Sequence, residues 1–109
     1  MYTIKNENIF ADSVISDQEN YGKSIEVKLL LDATEEEIEE RFGKTLREPT
    51  LVAYTTINKY NKTLNYVSFE IENPFDEVII VDTMLSNEER EALRKAAVAE
   101  LGRYIYQNR

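Results

Sequence analysis

An alternation of apolar and polar residues from Ser24 to Leu31, broken only at Leu30, predicts a well-defined strand. Every second position in this stretch is large and apolar: Ile25, Val27, Leu29 and Leu31. The positions between them include Glu26 and Lys28. Because successive side chains of a strand point to opposite faces of its sheet, this period of two is typical of a half-buried strand.

The longest β-prone stretch runs from Leu51 to Ile71 and has the polar pair Asn61-Lys62 at its middle. We therefore predict a β-hairpin whose turn is centred on that pair. Such a turn would fix the register of the two strands, with Val52 opposite Ile71, Tyr54 opposite Phe69 and Thr56 opposite Val67. In that register the buried face of the hairpin carries Val52, Tyr54, Val67, Phe69 and Ile71.

Two capping boxes predict two helices. Thr34 is followed three residues later by Glu37, the spacing at which a hydroxyl and a carboxylate satisfy each other's backbone amides at a helix start. This first helix is expected to end at Gly43, because glycine favours the left-handed conformation that closes a helix. Ser86 and Glu89 have the same spacing. They begin a longer helix with an apolar face of Leu93, Ala97, Val98, Leu101, Tyr104 and Ile105.

Two further stretches predict strands and complete the fold class. One strand is expected within residues 8–16, and β-branched residues on both sides of Glu77 to Val81 indicate a strand covered on two faces. The predicted order is ββαβββα. It favours an α+β fold with a mostly antiparallel sheet of about five strands and two helices packed on one face. A length of 109 residues fits a single domain, residues 1–109.

Charge narrows the classes of partner. The net charge is −8, and residues 70–89 contain seven acidic residues and no basic one. Direct binding of nucleic acid or of an anionic membrane needs clustered Lys and Arg, so we expect neither. No apolar run approaches the length of a membrane span, and the first ten residues do not resemble a signal peptide. We therefore expect a cytoplasmic protein with a basic partner.

Few residues offer catalytic or metal-binding chemistry. The chain has no His and no Cys, so the commonest general base, the thiol nucleophile and nearly all zinc sites are excluded. Asp76, Glu77 and Asp82 are close in sequence but do not match a calcium loop. We expect no catalytic activity, no metal and no cofactor. A carboxylate-based enzyme is the remaining catalytic alternative.

The first predicted helix carries the candidate partner-binding residues. Only Ile38 and Phe42 within it are large and apolar, so its glutamates should point into solvent. The candidate residues are Asp32, Glu35, Glu36, Glu37, Glu39 and Glu40. We predict a small, acidic, non-enzymatic protein-binding domain that docks on a basic surface of its partner. The alternative is an inhibitor of a DNA- or RNA-binding protein that imitates nucleic acid, and runs of charge are also common on simple solvated surfaces.

The second predicted helix suggests two further contacts. Arg90 and Arg94 lie one turn apart and could clamp a small anion, but we favour the interpretation that their stems cover apolar surface while Glu77, Asp82 or Glu89 pairs with them. A stripe of small residues on the same helix would let another helix approach closely, either the first helix or that of a second chain in a homodimer. The stripe consists of Ala92, Ala96 and Ala99.

Overall fold

The computed structural model describes residues 1–10, 15–17 and 23–107. The two α-helices are α1, Glu35–Phe42, and α2, Asn87–Gln107, and Asn6–Asn8 forms a short 3-10 helix. The strands are β1 (Ile9–Phe10), β2 (Ile15–Asp17), β3 (Ser24–Leu31), β4 (Thr50–Asn58), β5 (Leu64–Glu72) and β6 (Val78–Val81).

All the strands described pair antiparallel in one sheet, in the order β1-β3-β4-β5-β6. β2 also pairs with β3, next to β1, so the sheet is five strands wide. Both helices pack on the same face, which confirms the predicted α+β class. The single strand expected within residues 8–16 is instead the two short strands β1 and β2.

The core lies between the sheet and the helices. It includes Ile38 of α1, together with Leu93, Ala97 and Leu101 of α2, each fully buried. Phe69 of β5 is 2% exposed and packs its ring against that of Phe42, with the ring centroids 5.4 Å apart. Burying such side chains supplies the main free energy that holds α1 and α2 to the sheet.

The predicted register of the hairpin is wrong by one residue. Leu51 lies opposite Ile71, and Ala53 lies opposite Phe69. The connection is a five-residue loop in which Lys62 adopts a left-handed conformation with φ 62°, and the register shifts again between Thr56 and Ile57. The hairpin is therefore not symmetric about Asn61-Lys62, as the prediction assumed.

This shift exchanges the faces of β4. Val52 and Tyr54 lie on the face away from the helices, whereas the core face carries Leu51, Ala53 and Thr55. Thr55 is fully buried, and its hydroxyl donates a hydrogen bond to the carbonyl oxygen of Val27 at 2.9 Å. A polar side chain satisfied in this way can occupy a core position at little cost.

The strand β6, at one edge of the sheet, is more exposed than predicted. Val78 and Ile80 of β6 are 58% and 73% exposed. They point to the face of the sheet that neither helix covers, and β6 is an edge strand with a neighbour only on the β5 side. The expectation that β6 is covered on two faces is therefore wrong.

Both predicted capping boxes are confirmed. At the start of α1, Thr34 Oγ1 accepts a hydrogen bond from the Glu37 amide at 3.1 Å, and Glu37 Oε1 accepts one from the Thr34 amide at 2.9 Å. Ser86 and Glu89 form the same reciprocal pair at α2. Gly43 ends α1 with φ 76°, a conformation that glycine adopts without steric cost.

Candidate functional site

The predicted acidic residues form an exposed surface along α1. Five of the six side chains are exposed, and we call them the acidic surface: Asp32, Glu35, Glu36, Glu39 and Glu40. The sixth, Glu37, is half-buried and is engaged in the capping box. Ile38 and Phe42 lie on the opposite side of the helix and anchor it to the core. The structure thus brings together five of the six predicted residues.

Most of the charge on the acidic surface is not neutralised within the described chain. Glu40 has one cationic neighbour, the amino terminus of Met1, at 3.7 Å. Both groups are more than half exposed, so water and salt weaken this pair. Within residues 1–10, 15–17 and 23–107, the other four carboxylates make no hydrogen bond or ion pair. Their charge is therefore available to a binding partner.

A buried ion pair fixes the position of α1 from beneath. Arg41 and Glu89 form a two-pronged contact, with Nη1 to Oε2 at 2.7 Å and Nη2 to Oε1 at 2.9 Å. Arg41 also donates from Nε to Thr83 Oγ1, from Nη1 to the Tyr2 carbonyl and from Nη2 to the Met84 carbonyl. All five guanidinium N–H groups are thus satisfied.

Glu89 is satisfied to the same degree. Its carboxylate accepts hydrogen bonds from the backbone amides of Ile4 at 2.9 Å and Ser86 at 3.0 Å, in addition to the two from Arg41. Burial alone would raise the pKa of this carboxyl, but the hydrogen bonds and the positive charge of Arg41 outweigh it and lower the pKa to about 2. Glu89 is therefore a permanently charged structural group at neutral pH.

The two arginines of α2 have different surroundings. Arg94 binds Glu91 through two hydrogen bonds, Nε to Oε2 at 2.8 Å and Nη2 to Oε1 at 2.6 Å, and also contacts the Lys62 carbonyl. The Arg90 side chain is exposed, and its guanidinium makes no hydrogen bond or ion pair with the described residues. None of the three predicted acidic partners binds either arginine in the described chain: Glu89 pairs with Arg41, Glu77 accepts from Asn73, and Asp82 accepts from Thr83.

The stripe of small residues on α2 is largely covered by its own chain. Ala92 is 7% exposed and Ala96 packs against the core, whereas Ala99 is exposed. Self-association through this helix stays a prediction.

The acidic residues of β5 lie apart from the acidic surface. Glu70 and Glu72 point to the sheet face opposite to the helices, since Phe69 and Ile71 point to the core. Glu72 Oε1 lies 3.9 Å from the ammonium of Lys28, and Glu72 Oε2 accepts a hydrogen bond from the Tyr54 hydroxyl at 3.2 Å. α1 and β5 therefore do not build one continuous acidic ridge.

The described residues contain neither a metal-binding cluster nor a membrane-spanning helix. Among the described residues, no three acidic side chains come close enough together to hold a metal ion. No helix in that part of the chain is long and apolar enough to cross a bilayer. Comparison of the chain with protein-family models, with curated proteins and with solved structures finds no significant match.

Proposed function

We propose that this chain is a small, non-enzymatic protein-binding domain that docks through its acidic surface on a basic surface of a partner protein. One observation carries the proposal. Five carboxylates on and beside α1 are exposed, and within the described chain only Glu40 has a cationic neighbour. Complementary charge across an interface accelerates association and selects the partner.

The way α1 is held supports this proposal. Ile38 fixes the helix to the core, and Arg41 in its last turn is bound to Glu89 and to two backbone carbonyls. The carboxylates on the outer side of α1 therefore project from a rigid support. A surface that is already ordered before binding loses less entropy when a partner docks.

A non-enzymatic role is supported by what the carboxylates do. The chain has no His and no Cys, so acid–base chemistry would fall mainly to carboxylates. Glu89, whose pKa is about 2, is fully occupied by four hydrogen bonds and remains ionised, so it is unsuited to exchanging protons near neutral pH. Members of the acidic surface are exposed, and exposure leaves a carboxylate without the burial that tunes catalytic groups.

Imitation of nucleic acid is the second candidate. The four exposed glutamates of the eight-residue helix α1 present one charge per about 3 Å of helix, given a rise of about 1.5 Å per residue, whereas duplex DNA carries one per about 1.7 Å. The separation of Glu70 and Glu72 from the acidic surface counts against it, since a phosphate ridge extends further than one short helix.

The test is capture of partners from a lysate of the native host at low and high salt. The variant Glu36→Gln/Glu39→Gln/Glu40→Gln removes three charges from the acidic surface. A matched control, Glu7→Gln/Asp76→Asn/Glu88→Gln, removes three exposed charges elsewhere. We expect the wild type and the control to retain the same proteins at low salt, and the α1 variant to lose them. Equal retention by both variants would contradict the proposal.

Elution with duplex DNA separates the two candidates. Proteins held by a nucleic-acid mimic should be released by DNA at constant ionic strength, because DNA competes for the same basic groove. Partners that recognise α1 as a protein surface should stay bound under the same conditions.

A further inference from the structure

One half of β5 has an unpaired edge. β6 pairs only with Phe69–Glu72, so residues 64–68 of β5 have a strand neighbour on the β4 side alone. Within the part of the chain that the structure describes, no backbone hydrogen bond closes the other side. Alternate residues of such an edge present free N–H and C=O groups, which are the groups that another strand recognises.

A groove of about 320 Å³ lies beside this open edge. Tyr66, Val67 and Phe69 of β5 line one side of it, and the segment 82–85 with Arg90 lines the other. The segment 82–85 follows β6, and by turning away towards α2 it leaves space where a further strand could lie. A volume of this size is at the lower end of the range for ligand-binding clefts.

The wall opposite the strand is held in place. Arg41 Nε binds Thr83 Oγ1 at 2.9 Å, and Arg41 Nη2 binds the Met84 carbonyl at 2.8 Å. Leu85 packs against the core. The groove is therefore preformed, and an incoming segment does not need to order its wall.

Arg90 gives the groove a chemical preference. Its exposed guanidinium makes no hydrogen bond or ion pair within the described chain, unlike that of Arg94 one turn later. A guanidinium presents paired N–H donors that match a carboxylate. The groove thus combines an open strand edge, apolar side chains, one cation without a described partner, Arg90, and one carboxylate, Asp82, which accepts a hydrogen bond from the Thr83 amide at 2.9 Å.

We propose that an extended segment of another protein adds to β5 along residues 64–68 and places a carboxylate against Arg90. This surface is separate from the acidic surface and goes beyond the proposed function. A second copy of the chain is a poor occupant, because its own open edge, Leu64–Ser68, contains no acidic residue. Five paired residues would extend the contact over about 17 Å, given about 3.3 Å per residue in a strand.

The experiment is a selection of random octapeptides displayed on phage, with the immobilised full chain as bait. The enriched sequences should alternate β-branched and polar residues and share one acidic position. A synthetic peptide with the best sequence should bind Arg90→Ala at least tenfold more weakly than the wild type. The matched control, Arg94→Ala, removes a neighbouring arginine outside this groove and should change the affinity less than twofold.

Two further measurements make the result decisive. N-methylation of alternate amides of the peptide removes the donors that pair with β5, and one of the two methylated series should fail to bind. The variant Glu36→Gln/Glu39→Gln/Glu40→Gln should bind the peptide as the wild type does, so failure of the proposed function would leave this result intact. The proposal is overturned if no peptide is enriched, if Arg90→Ala binds normally, or if neither methylated series loses affinity.

Discussion

Glu89 and Glu100 lie about three turns apart on the same side of α2, and they are 4% and 1% exposed. Their surroundings differ. Glu89 accepts four hydrogen bonds, three from the distant residues Ile4 and Arg41 and one from the nearby Ser86 amide. Glu100 has an ion-pair contact at 3.0 Å to Arg103, which is 57% exposed. Oε1 of Glu100 has no partner with hydrogen-bond geometry in the described chain.

The difference shows that the burial of a carboxylate does not by itself indicate how much it stabilises a fold. Removing a carboxylate from water costs several kcal/mol of free energy. Most of this cost is offset only when the carboxylate pairs with a cation that is also buried and well aligned. Arg41 is such a partner because its side chain is 8% exposed and all its donors are used. Because Arg103 is largely exposed, its guanidinium can replace the contact with Glu100 by hydrogen bonds to water at little cost in free energy. We therefore expect Glu89 to be essential for stability and Glu100 to be dispensable.

The largest expected effect is that of Glu89→Gln. The amide keeps the shape of the side chain but leaves the Arg41 charge buried without a counter-ion, so we expect a loss of about 3–5 kcal/mol in the free energy of unfolding. Urea denaturation at pH 7 measures it. The control Glu88→Gln removes an exposed charge from the same helical turn and should change stability by less than about 0.5 kcal/mol. Equal losses in the two variants would mean that the buried pair contributes nothing beyond the helix dipole.

Acidification is expected to have a smaller effect on the free energy of unfolding. The pKa of Glu89 is lowered from 4.5 to about 2 in the folded chain, so its stabilising contribution is fully present above pH 4.5 and is lost as the pH falls towards 2. The shift corresponds to about 3 kcal/mol. The stability difference between the wild type and Glu89→Gln, measured by urea denaturation from pH 7 to pH 2, should narrow by about that amount. A constant difference would show that the carboxylate titrates alike in the folded and unfolded chains.

The smallest effect is expected for Glu100→Gln. This change removes a desolvated charge whose counter-ion lies in water, so the free energy of unfolding should change by less than about 1 kcal/mol in either direction. Thermal and urea denaturation beside Glu89→Gln give the comparison directly. A loss above about 2 kcal/mol would contradict this expectation, because it would show that Glu100 contributes to stability as a fully hydrogen-bonded carboxylate does.

Local features of this fold were predictable from the sequence. The alternation in Ser24–Leu31 and the capping boxes at Thr34 and Ser86 depend on residues within one turn or one strand, so propensity and spacing suffice. The exposure of the acidic surface was also predictable from local sequence, because Ile38 and Phe42 are the only large apolar residues in α1.

Features that depend on distant residues were not predictable. The core position of Thr55 depends on the Val27 carbonyl of the neighbouring strand, which accepts a hydrogen bond from its hydroxyl, and the register that exchanges the faces of β4 depends on β5. No local signal connects Arg41 with Glu89, which is 48 residues away. The groove at Arg90 likewise depends on where β6 ends beside β5, which propensity alone does not determine.

The bond between the Ile4 amide and Glu89 spans 85 residues of the chain. Contacts of such separation close a very large loop, and their entropy cost is met only after most of the sheet has formed. We therefore expect the pair of Arg41 and Glu89 to form late in folding, after the transition state. Interactions that form after the barrier leave the folding rate unchanged and slow unfolding. We therefore expect the pair to act kinetically as well as thermodynamically, by slowing the unfolding of the domain.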